Sequence, residues 1–234
     1  MKCISLDTTT RLNEGYAATI GFFDGVHLGH QHLLRRVVQV AEAKGLRSMV
    51  ITFDRDPRQV VAPEREPKHL CTIPMKLRWM EQMGLDVCVL LPFDQAMAQL
   101  TAANFMQTIL SRQLNVKALV LGHDNRFGRP QGETFEIYDE MGKNQGIDVV
   151  LCDAYEPSVG RCSSTEIRRL VTDGSMDDAG ALLGRPYTIE GFVVDGEKEG
   201  RRLGFPTANI RLESASVLLP PEGVYAVSVV LPDE

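Results

Sequence analysis

Short apolar runs alternate with amphipathic stretches along the first two-thirds of the chain. The apolar runs have the length of buried strands, and they lie at residues 16–20, 48–53, 86–91, 117–121 and 147–151. Helical periodicity is clearest at 31–43, where apolar residues share one side and Gly45 follows as a C-terminal stop. Further helices are predicted at 75–83, at 134–144, and at 102–113 behind a Thr101 cap. This alternation predicts an α/β fold, a parallel sheet with helices on both faces.

Two capping patterns predict further helix starts. Ser163 with Glu166 opens SSTEIRRLV, and Ser175 with Asp178 opens SMDDAGALL. In such a box the serine hydroxyl binds a backbone N–H of the first turn, and the acidic residue three positions later binds back. We therefore expect both serines to cap their helices.

The pattern changes after Gly184. The stretches YTIEGFVVDGEKEGRRLGFPTANI and GVYAVSVVL indicate strands joined by glycine-rich turns, without helices. We expect one domain at residues 1–183 and a second piece at 184–234, which ends in mid-strand and predicts an incomplete β-barrel.

Composition narrows the classes of protein. With 44% hydrophobic residues in 234, the chain can bury a sizeable core, and no apolar run is long enough to span a bilayer. The N-terminus lacks the apolar centre of a signal peptide, so we expect a cytoplasmic protein with no membrane partner. A net charge of −6 argues against nucleic acid and favours small anionic ligands; the oligomeric state stays open.

Cysteine usage supports neither a disulfide framework nor a zinc site. The five cysteines are an odd number, widely spaced, and form no CxxC pair. They are Cys3, Cys71, Cys88, Cys152 and Cys162.

The candidate chemistry lies in TIGFFDGVHLGH, residues 19–30, between the first long strand and its helix. Phosphates bind at helix N-termini beyond the carboxyl ends of parallel strands. Three glycines would let the backbone approach a phosphate, and His27 and His30 would donate hydrogen bonds to charge that develops during phosphoryl transfer. A glycine-rich turn with two solvated histidines is the alternative interpretation, which the complete string disfavours.

Several motifs resemble those of the bacterial bifunctional riboflavin kinase/FAD synthetases. HLGH matches the HxGH signature of the nucleotidyltransferase superfamily, and GFFDGVHLGHQ is similar to the family's opening motif. GHDNRFG at 122–128 and SSTEIR at 163–168 resemble its second and third signatures. GRRLGFPTAN at 200–209 and PPEGVYA at 220–226 are similar to motifs of its kinase domain. The motifs follow the family's order over nearly the whole chain.

The resemblance implies a Rossmann-like nucleotidyltransferase domain followed by part of a riboflavin kinase β-barrel. It also implies the strand order 3-2-1-4-5, with the loops after strands 1 and 4 facing each other across the switch-point crevice. The activity implied is transfer of AMP from ATP to FMN, which gives FAD and pyrophosphate. Its small-molecule ligands are ATP, FMN and riboflavin, with Mg²⁺ as the cofactor.

The resemblance also assigns residues. His27 and His30 are the catalytic pair. The nucleotide-binding set is Gly21, Phe22, Asp24, Gly25, Gly29, Asp124, Arg126, Ser163, Ser164, Thr165 and Arg168. In the kinase part, Thr207 and Asn209 are implied to bind ATP phosphate and Mg²⁺, although a plain hairpin loop is the alternative for this segment. SSTE likewise has a purely structural interpretation as a helix cap, which is compatible with binding.

Two segments depart from the family pattern. The family's TFxPHP segment reads TFDRDP here, so that Arg55 and Asp56 stand at the proline and histidine positions. Asn125 stands where the second signature often has an aromatic residue. The replacement at position 56 removes the basis for carrying over any ligand contact of the family's histidine.

The remaining histidines are assigned no catalytic role. His32, His69 and His123 are expected at surface or packing positions, with His123 near the crevice. The resemblance places the kinase's glutamate base farther along than residue 234, so we expect no riboflavin phosphorylation from this chain.

Two other functions stay open. One is an HxGH nucleotidyltransferase that acts on a different phosphorylated acceptor. The other is a flavin- or nucleotide-binding protein without turnover.

Overall fold

A six-stranded parallel sheet forms the centre of the computed structural model, with its strands in the order β1-β4-β3-β2-β5-β6. The structure describes residues 1–65, 68–123, 125–129, 133–157, 160–196, 199–202, 204–205 and 207–231. The parallel strands are β1 (Lys2–Ser5), β2 (Tyr16–Ile20), β3 (Arg47–Phe53), β4 (Val87–Leu91), β5 (Val116–Gly122) and β6 (Asp148–Cys152). A separate antiparallel pair consists of β7 (Gly191–Val194) and β8 (Asn209–Leu212).

The helices are α1 (Leu28–Lys44), α2 (Arg58–Val61), α3 (Ile73–Glu81), α4 (Gln95–Ala98), α5 (Ala102–Phe105), α6 (Phe135–Gln145), α7 (Ser164–Thr172), α8 (Met176–Leu183) and α9 (Glu199–Arg202). Helices α1 to α6 lie between the parallel strands, α7 and α8 follow the last of them, and α9 lies between β7 and β8. A π-helical stretch, Met106–Gln113, continues directly from α5.

The predicted α/β fold is confirmed. All five predicted strands are present as β2 to β6, and their neighbours follow the expected order 3-2-1-4-5. The sequence reading missed β1, which adds an edge next to β4, with Lys2 opposite Val87. Its sequence, KCIS, is short and mostly exposed, so it lacks the apolar run that marks the other strands.

The chain changes direction across the sheet at β2. Every residue of β2 is buried, and it pairs in parallel with β3 on one side and β5 on the other. The carboxyl ends of β2 and β5 are therefore neighbours, with connections that leave in opposite directions. Such a switch point leaves an open crevice at that edge of the sheet.

Two hydrophobic layers enclose the sheet. One contains Phe105 and Met106 with Tyr138 of α6, and the other contains Leu34 of α1 and Met80 of α3. Burial on both faces explains why the strands are continuous apolar runs. Helices α7 and α8 form a smaller apolar cluster of their own.

The helix caps are confirmed in part. Thr101 accepts a hydrogen bond from Asn104 N at 3.2 Å, and Ser163 accepts one from Glu166 N at 3.2 Å. The predicted Ser175 cap is wrong, because its backbone (φ −77°, ψ 66°) is not extended and its side chain makes no capping bond. Ser175 N instead donates to Leu170 O at 2.9 Å, so this residue closes the end of α7.

The part after Gly184 contains the expected short strands and one unexpected helix. Strands β7 and β8 form an antiparallel pair, with Gly191 opposite Leu212. Helix α9 contradicts the expectation that this part has none. The strand predicted at 223–231 is also wrong, since these residues are largely exposed and not in a strand. A strand needs a hydrogen-bonding neighbour, and the described part of the chain places none beside this segment.

Among the described residues, no helix combines the length and apolar character needed to cross a membrane. The cysteines Cys3, Cys71, Cys88, Cys152 and Cys162 are free thiols.

Candidate active site

The turn between β2 and α1 has an unusual backbone. Phe23 (φ 56°), Gly25 (φ 76°) and Val26 (φ 41°) all have left-handed conformations. The chain then straightens at His27, which is the N-cap of α1 and whose Nδ1 accepts a hydrogen bond from His30 N at 3.3 Å. The turn therefore brings the first catalytic candidate to the N-terminus of a 17-residue helix.

The two histidine rings are stacked. Their centroids are 3.5 Å apart with an interplanar angle of 21°, and the edge of Phe23 contacts His30 at 5.1 Å. Since His27 Nδ1 accepts a backbone N–H, the neutral His27 ring carries its proton on Nε2. Burial, followed by electrostatic interactions with His27 and Lys76, holds the pKa of His30 well below its ordinary value. His30 is therefore neutral at pH 7.

A cavity of about 820 Å³ opens beside these rings at the carboxyl edge of the sheet. This volume is within the range of small-molecule and cofactor sites. The sequence-predicted residues that line it are Phe22, Asp24, His27, Gly29, His30, Ser163, Ser164, Thr165 and Arg168. The first and third motifs thus meet in one cavity.

The loop after β5 reaches the same cavity, as expected. Gly122 and His123 line it, and Asn125 Nδ2 donates to Ile20 O at 2.6 Å, which joins the loops after β5 and β2. The expected position of His123 near the crevice is confirmed.

The structure does not bring every predicted residue of the second motif into the cavity. Asp124 lies outside the described residues. Arg126 is exposed and does not line the cavity, because its Nη1 donates to the carbonyls of His123 and Asn125 in its own loop.

Helix α7 is anchored on the first motif. Ser164 Oγ donates to Asp24 O at 3.0 Å, and Arg168 Nη2 lies 3.0 Å from Asp24 Oδ2. The other Asp24 oxygen accepts from Leu70 N at 2.9 Å. The Nε of Arg168 is buried without a hydrogen-bond partner among the described residues. Asp24 thus holds the positive Arg168 beside the cavity.

The glycines of the first motif correct one expectation. Gly21 and Gly25 do not line the cavity. A Cβ added at Gly25 would lie 2.8 Å from Leu70 Cδ1, and one added at Gly21 would lie 3.0 Å from the Phe23 ring. These glycines leave space for protein side chains, and at Gly25 the backbone also needs its positive φ.

Two arginines of the cavity lining were not predicted from the sequence. Arg58 and Arg161 both line the cavity, and the buried Asp56 accepts hydrogen bonds from Arg58 Nε at 3.1 Å and Nη2 at 2.9 Å. The residue at the family's histidine position therefore orients a cation. In the sequence, Arg58 is marked only by its place directly after TFDRDP, and Arg161 only by its place directly before CSSTEIR.

Two other histidines are now located. His32 was expected at a surface or packing position, but it lines the cavity, with its ring centroid 6.0 Å from that of Tyr155. His69 is buried and packs edge-on against Phe22 at 5.6 Å, as expected of a packing position.

A second cavity, of about 380 Å³, shares Phe22 and Asp24 with the first. Lys76 lines it, is buried, and donates from Nζ to Phe22 O at 2.8 Å and to Thr52 Oγ1 at 3.1 Å. Its Nζ also lies 4.1 Å from the centre of the Phe22 ring. Burial lowers the pKa of Lys76.

The kinase candidates lie apart from the larger cavity. Asn209 begins β8, Thr207 precedes it, and both are exposed. A Cβ added at Gly200 would lie 2.9 Å from Thr207 Oγ1, so α9 packs beside Thr207. Among the described residues, no group of three or more His, Cys, Asp or Glu is arranged for a metal ion. Metal binding by Thr207 and Asn209 stays a prediction.

These features define an α/β protein of the Rossmann-like class with a polar cavity at its switch point. Comparison with known proteins gives the family. Residues 9–166 match the family model for FAD synthetase, and residues 183–234 match the one for riboflavin kinase. The chain therefore belongs to the FAD synthetase family.

Individual relatives agree with the family match. The chain is 38% identical over 216 residues to the bifunctional riboflavin kinase/FMN adenylyltransferase of Escherichia coli K12. The aligned region covers 92% of this chain and 68% of that protein. The protein of the same name from Listeria monocytogenes is 38% identical over 226 residues, covering 96% and 70%. A crystal structure described as a macrolide-efflux protein from Streptococcus pneumoniae superposes with a TM-score of 0.86 at 31% identity, covering 96% of this chain and 73% of that one.

Proposed function

We propose that this chain makes FAD by transferring AMP from ATP to FMN, with release of pyrophosphate. The observation that carries the proposal is the stacked pair of His27 and His30 at the N-terminus of α1, on the wall of a nucleotide-sized cavity. The family of the chain supports the substrates, because its relatives are named for FMN adenylyl transfer.

The cavity suits the phosphate chain of ATP. The N-termini of α1 and α7 both open towards it, and free N–H groups at helix starts attract anions. Arg58, Arg161 and Arg168 add guanidinium donors at its lining, which also contains the carboxylates of Asp24, Asp153 and Glu156. The hydroxyls of Ser163 and Thr165 supply further donors. In this proposal Mg²⁺ enters with ATP, whose phosphate oxygens are the hard ligands this ion prefers.

The reaction needs no covalent intermediate on the protein. A phosphate oxygen of FMN forms a bond to the α-phosphorus of ATP, and the bond to the bridging oxygen breaks as pyrophosphate leaves. Negative charge grows on the oxygens around phosphorus and on the leaving group. The Nε2–H of His27 and the neutral imidazole of His30 would donate hydrogen bonds to that charge, so catalysis would come from positioning and electrostatics.

The direct test is an assay of the purified chain with FMN and ATP in Mg²⁺ buffer. We expect FAD on chromatography and one pyrophosphate released for each FAD formed. Pyrophosphate released only with another phosphorylated acceptor would replace FMN by that substrate. Calorimetric binding of ATP or FMN without any FAD would make the chain a binding protein without turnover. Either result contradicts the proposal.

The sequence led us to expect no riboflavin phosphorylation, but the match to the riboflavin kinase model supports it as a second candidate activity, with Thr207 and Asn209 at the ATP phosphates and Mg²⁺. The same assay with riboflavin in place of FMN measures it. If these residues carry the activity, Asn209→Ala would abolish FMN formation and leave FAD formation from FMN intact.

We also propose a cytoplasmic location, which the free thiols of all five cysteines support.

A further inference from the structure

Arg185 reaches back from the end of α8 to the turn that precedes the histidine pair. Its Nη1 donates to Val26 O at 3.1 Å and to Leu183 O at 3.1 Å, and its Nη2 donates to Gly25 O. One guanidinium thus binds the carbonyls of Gly25 and Val26 in the turn and the last carbonyl of α8. The turn and the end of α8 are about 160 residues apart in sequence.

Gln31 binds two of the same carbonyls from the opposite element. Its Nε2 donates to Val26 O at 3.0 Å and to Leu183 O at 3.0 Å. A side chain of α1 and one that follows α8 therefore converge on a single pair of oxygens. The packing is tight at this point, because a Cβ added at Gly184 would lie 2.6 Å from Leu28 Cδ2.

The turn needs such support because its backbone is strained. Val26, a β-branched residue, has φ 41°, and Phe23 has φ 56°. A non-glycine residue in this region is strained and persists only where surrounding contacts fix it. Two of the carbonyls that these side chains bind belong to Gly25 and Val26, the residues directly before His27, whose ring position follows from this conformation.

A guanidinium is needed at this place. It lies 3.5 Å from the centre of the Trp79 ring, and burial lowers the pKa of Arg185 to about 10, so the group stays charged near neutral pH. A planar cation can stack on an indole and donate from two nitrogens at once, whereas a lysine ammonium offers a single nitrogen.

We propose that Arg185 is a positioning residue for adenylyl transfer, which fixes the carbonyls of Gly25 and Val26 so that the His27 and His30 rings stay stacked at the cavity. This inference rests on the function proposed above. Arg185 does not line the cavity, so it acts through the turn and not on the nucleotide.

The first test compares kcat and KM for ATP, at saturating FMN, in Arg185→Met and Arg185→Lys. Because a displacement of about 1 Å at reacting groups costs about 10²-fold in rate, we expect Arg185→Met to lower kcat about 10- to 100-fold. The KM for ATP should change less than about threefold, since no contact with the nucleotide is removed. Arg185→Lys should recover only part of the loss. Arg112→Ala, an exposed arginine at the end of Met106–Gln113, is the matched control and should keep wild-type kcat.

Two further readouts separate positioning from a general effect on folding. Trp79 is the only tryptophan, so its emission reports the stack directly and should shift to longer wavelength in the Met and Lys variants. Millimolar ethylguanidinium should restore part of the kcat of Arg185→Ala and leave Arg112→Ala unchanged. If Arg185→Met does not fold, the Lys variant and the chemical rescue decide.

The outcomes are distinct. Wild-type protein that makes no FAD contradicts the proposed function, and Trp79 emission then still tests the contact. Active wild-type protein with unchanged kcat in the folded Arg185 variants overturns the positioning role alone. Unchanged Trp79 emission in those variants also overturns it, because the stack would not exist in solution.

Discussion

Arg168 and Asp24 form an ion pair that joins two motifs 144 residues apart, with Nη2 3.0 Å from Oδ2. Both side chains are largely shielded from water, with exposed fractions of 13% and 4%. The pair fixes the third motif against the turn that carries the histidines. It therefore contributes to the shape of the cavity as well as to its charge.

Removing the Asp24 charge should destabilise the protein. Asp24→Asn leaves the largely shielded Arg168 without its anion, and breaking a buried pair in this way costs up to about 3–5 kcal/mol in free energy of unfolding. Glu166→Gln on the same helix is the control, because it breaks the exposed pair with Arg169 and should cost less than about 1 kcal/mol. Urea unfolding measures both. Equal losses would show that the Asp24 pair is no stronger than a surface contact.

Gly25→Ala should destabilise the protein more than Gly45→Ala. Both glycines have positive φ, but the Gly25 site is filled by Leu70, whereas nothing lies within 4 Å of a Cβ added at Gly45. Gly45→Ala should cost about 1 kcal/mol from backbone strain alone. Gly25→Ala adds overpacking of about 1–3 kcal/mol. Thermal melting checks the order, and a smaller loss at Gly25 would contradict the packing.

His30 should make stability depend on pH. Its folded-state pKa lies below the unfolded value of about 6.5, so the unfolded chain takes up a proton first as the pH falls. Stability is then lost as pH drops from about 7.5 to 5.5, with a slope of up to about 1.4 kcal/mol per pH unit.

His30→Gln removes this contribution. Its free energy of unfolding should therefore fall less than that of the wild type between these two pH values, and groups common to both proteins cancel in the comparison. Urea unfolding at each pH measures the difference. Parallel curves for the two proteins would show that His30 titrates as an ordinary solvated histidine.

The two serine positions should differ in their effect on stability. Ser163→Ala removes a capping hydrogen bond and should cost about 1 kcal/mol. Ser175→Ala removes no capping bond and should cost less than about 0.5 kcal/mol. Guanidinium unfolding of the two variants side by side tests the assignment, which fails if Ser175→Ala is the more damaging.

Much of the fold could be predicted because the spacing of apolar residues along the sequence reflects which positions are buried. Strand β2 is buried along its whole length and its bounds match the prediction, whereas β1 is exposed at most positions and was missed. Ser175 shows the limit of a capping pattern: the tight link from α7, with Gly174 at φ 77°, decides its backbone.

The site was predicted as far as its residues are contiguous in sequence. His27, His30 and Arg168 lie in motifs and line the cavity. Arg185 contacts a turn about 160 residues away, and no local pattern marks that contact. The contact of Arg58 with Asp56 is local, but its place in the cavity lining follows only from the fold. The need for glycine at position 25 likewise follows only from the folded structure, in which Leu70 packs against it.

The most direct measurement of the central claim is the rate of FAD formation from FMN and ATP by His30→Ala. Losing one preorganised donor to a transition-state oxyanion costs about 10²–10³ in rate, and we expect a fall of that size with an unchanged circular dichroism spectrum. Adding His27→Ala should lower the rate far less than a second factor of this size, because the stacked rings act as a unit. Wild-type turnover in folded His30→Ala would contradict the account.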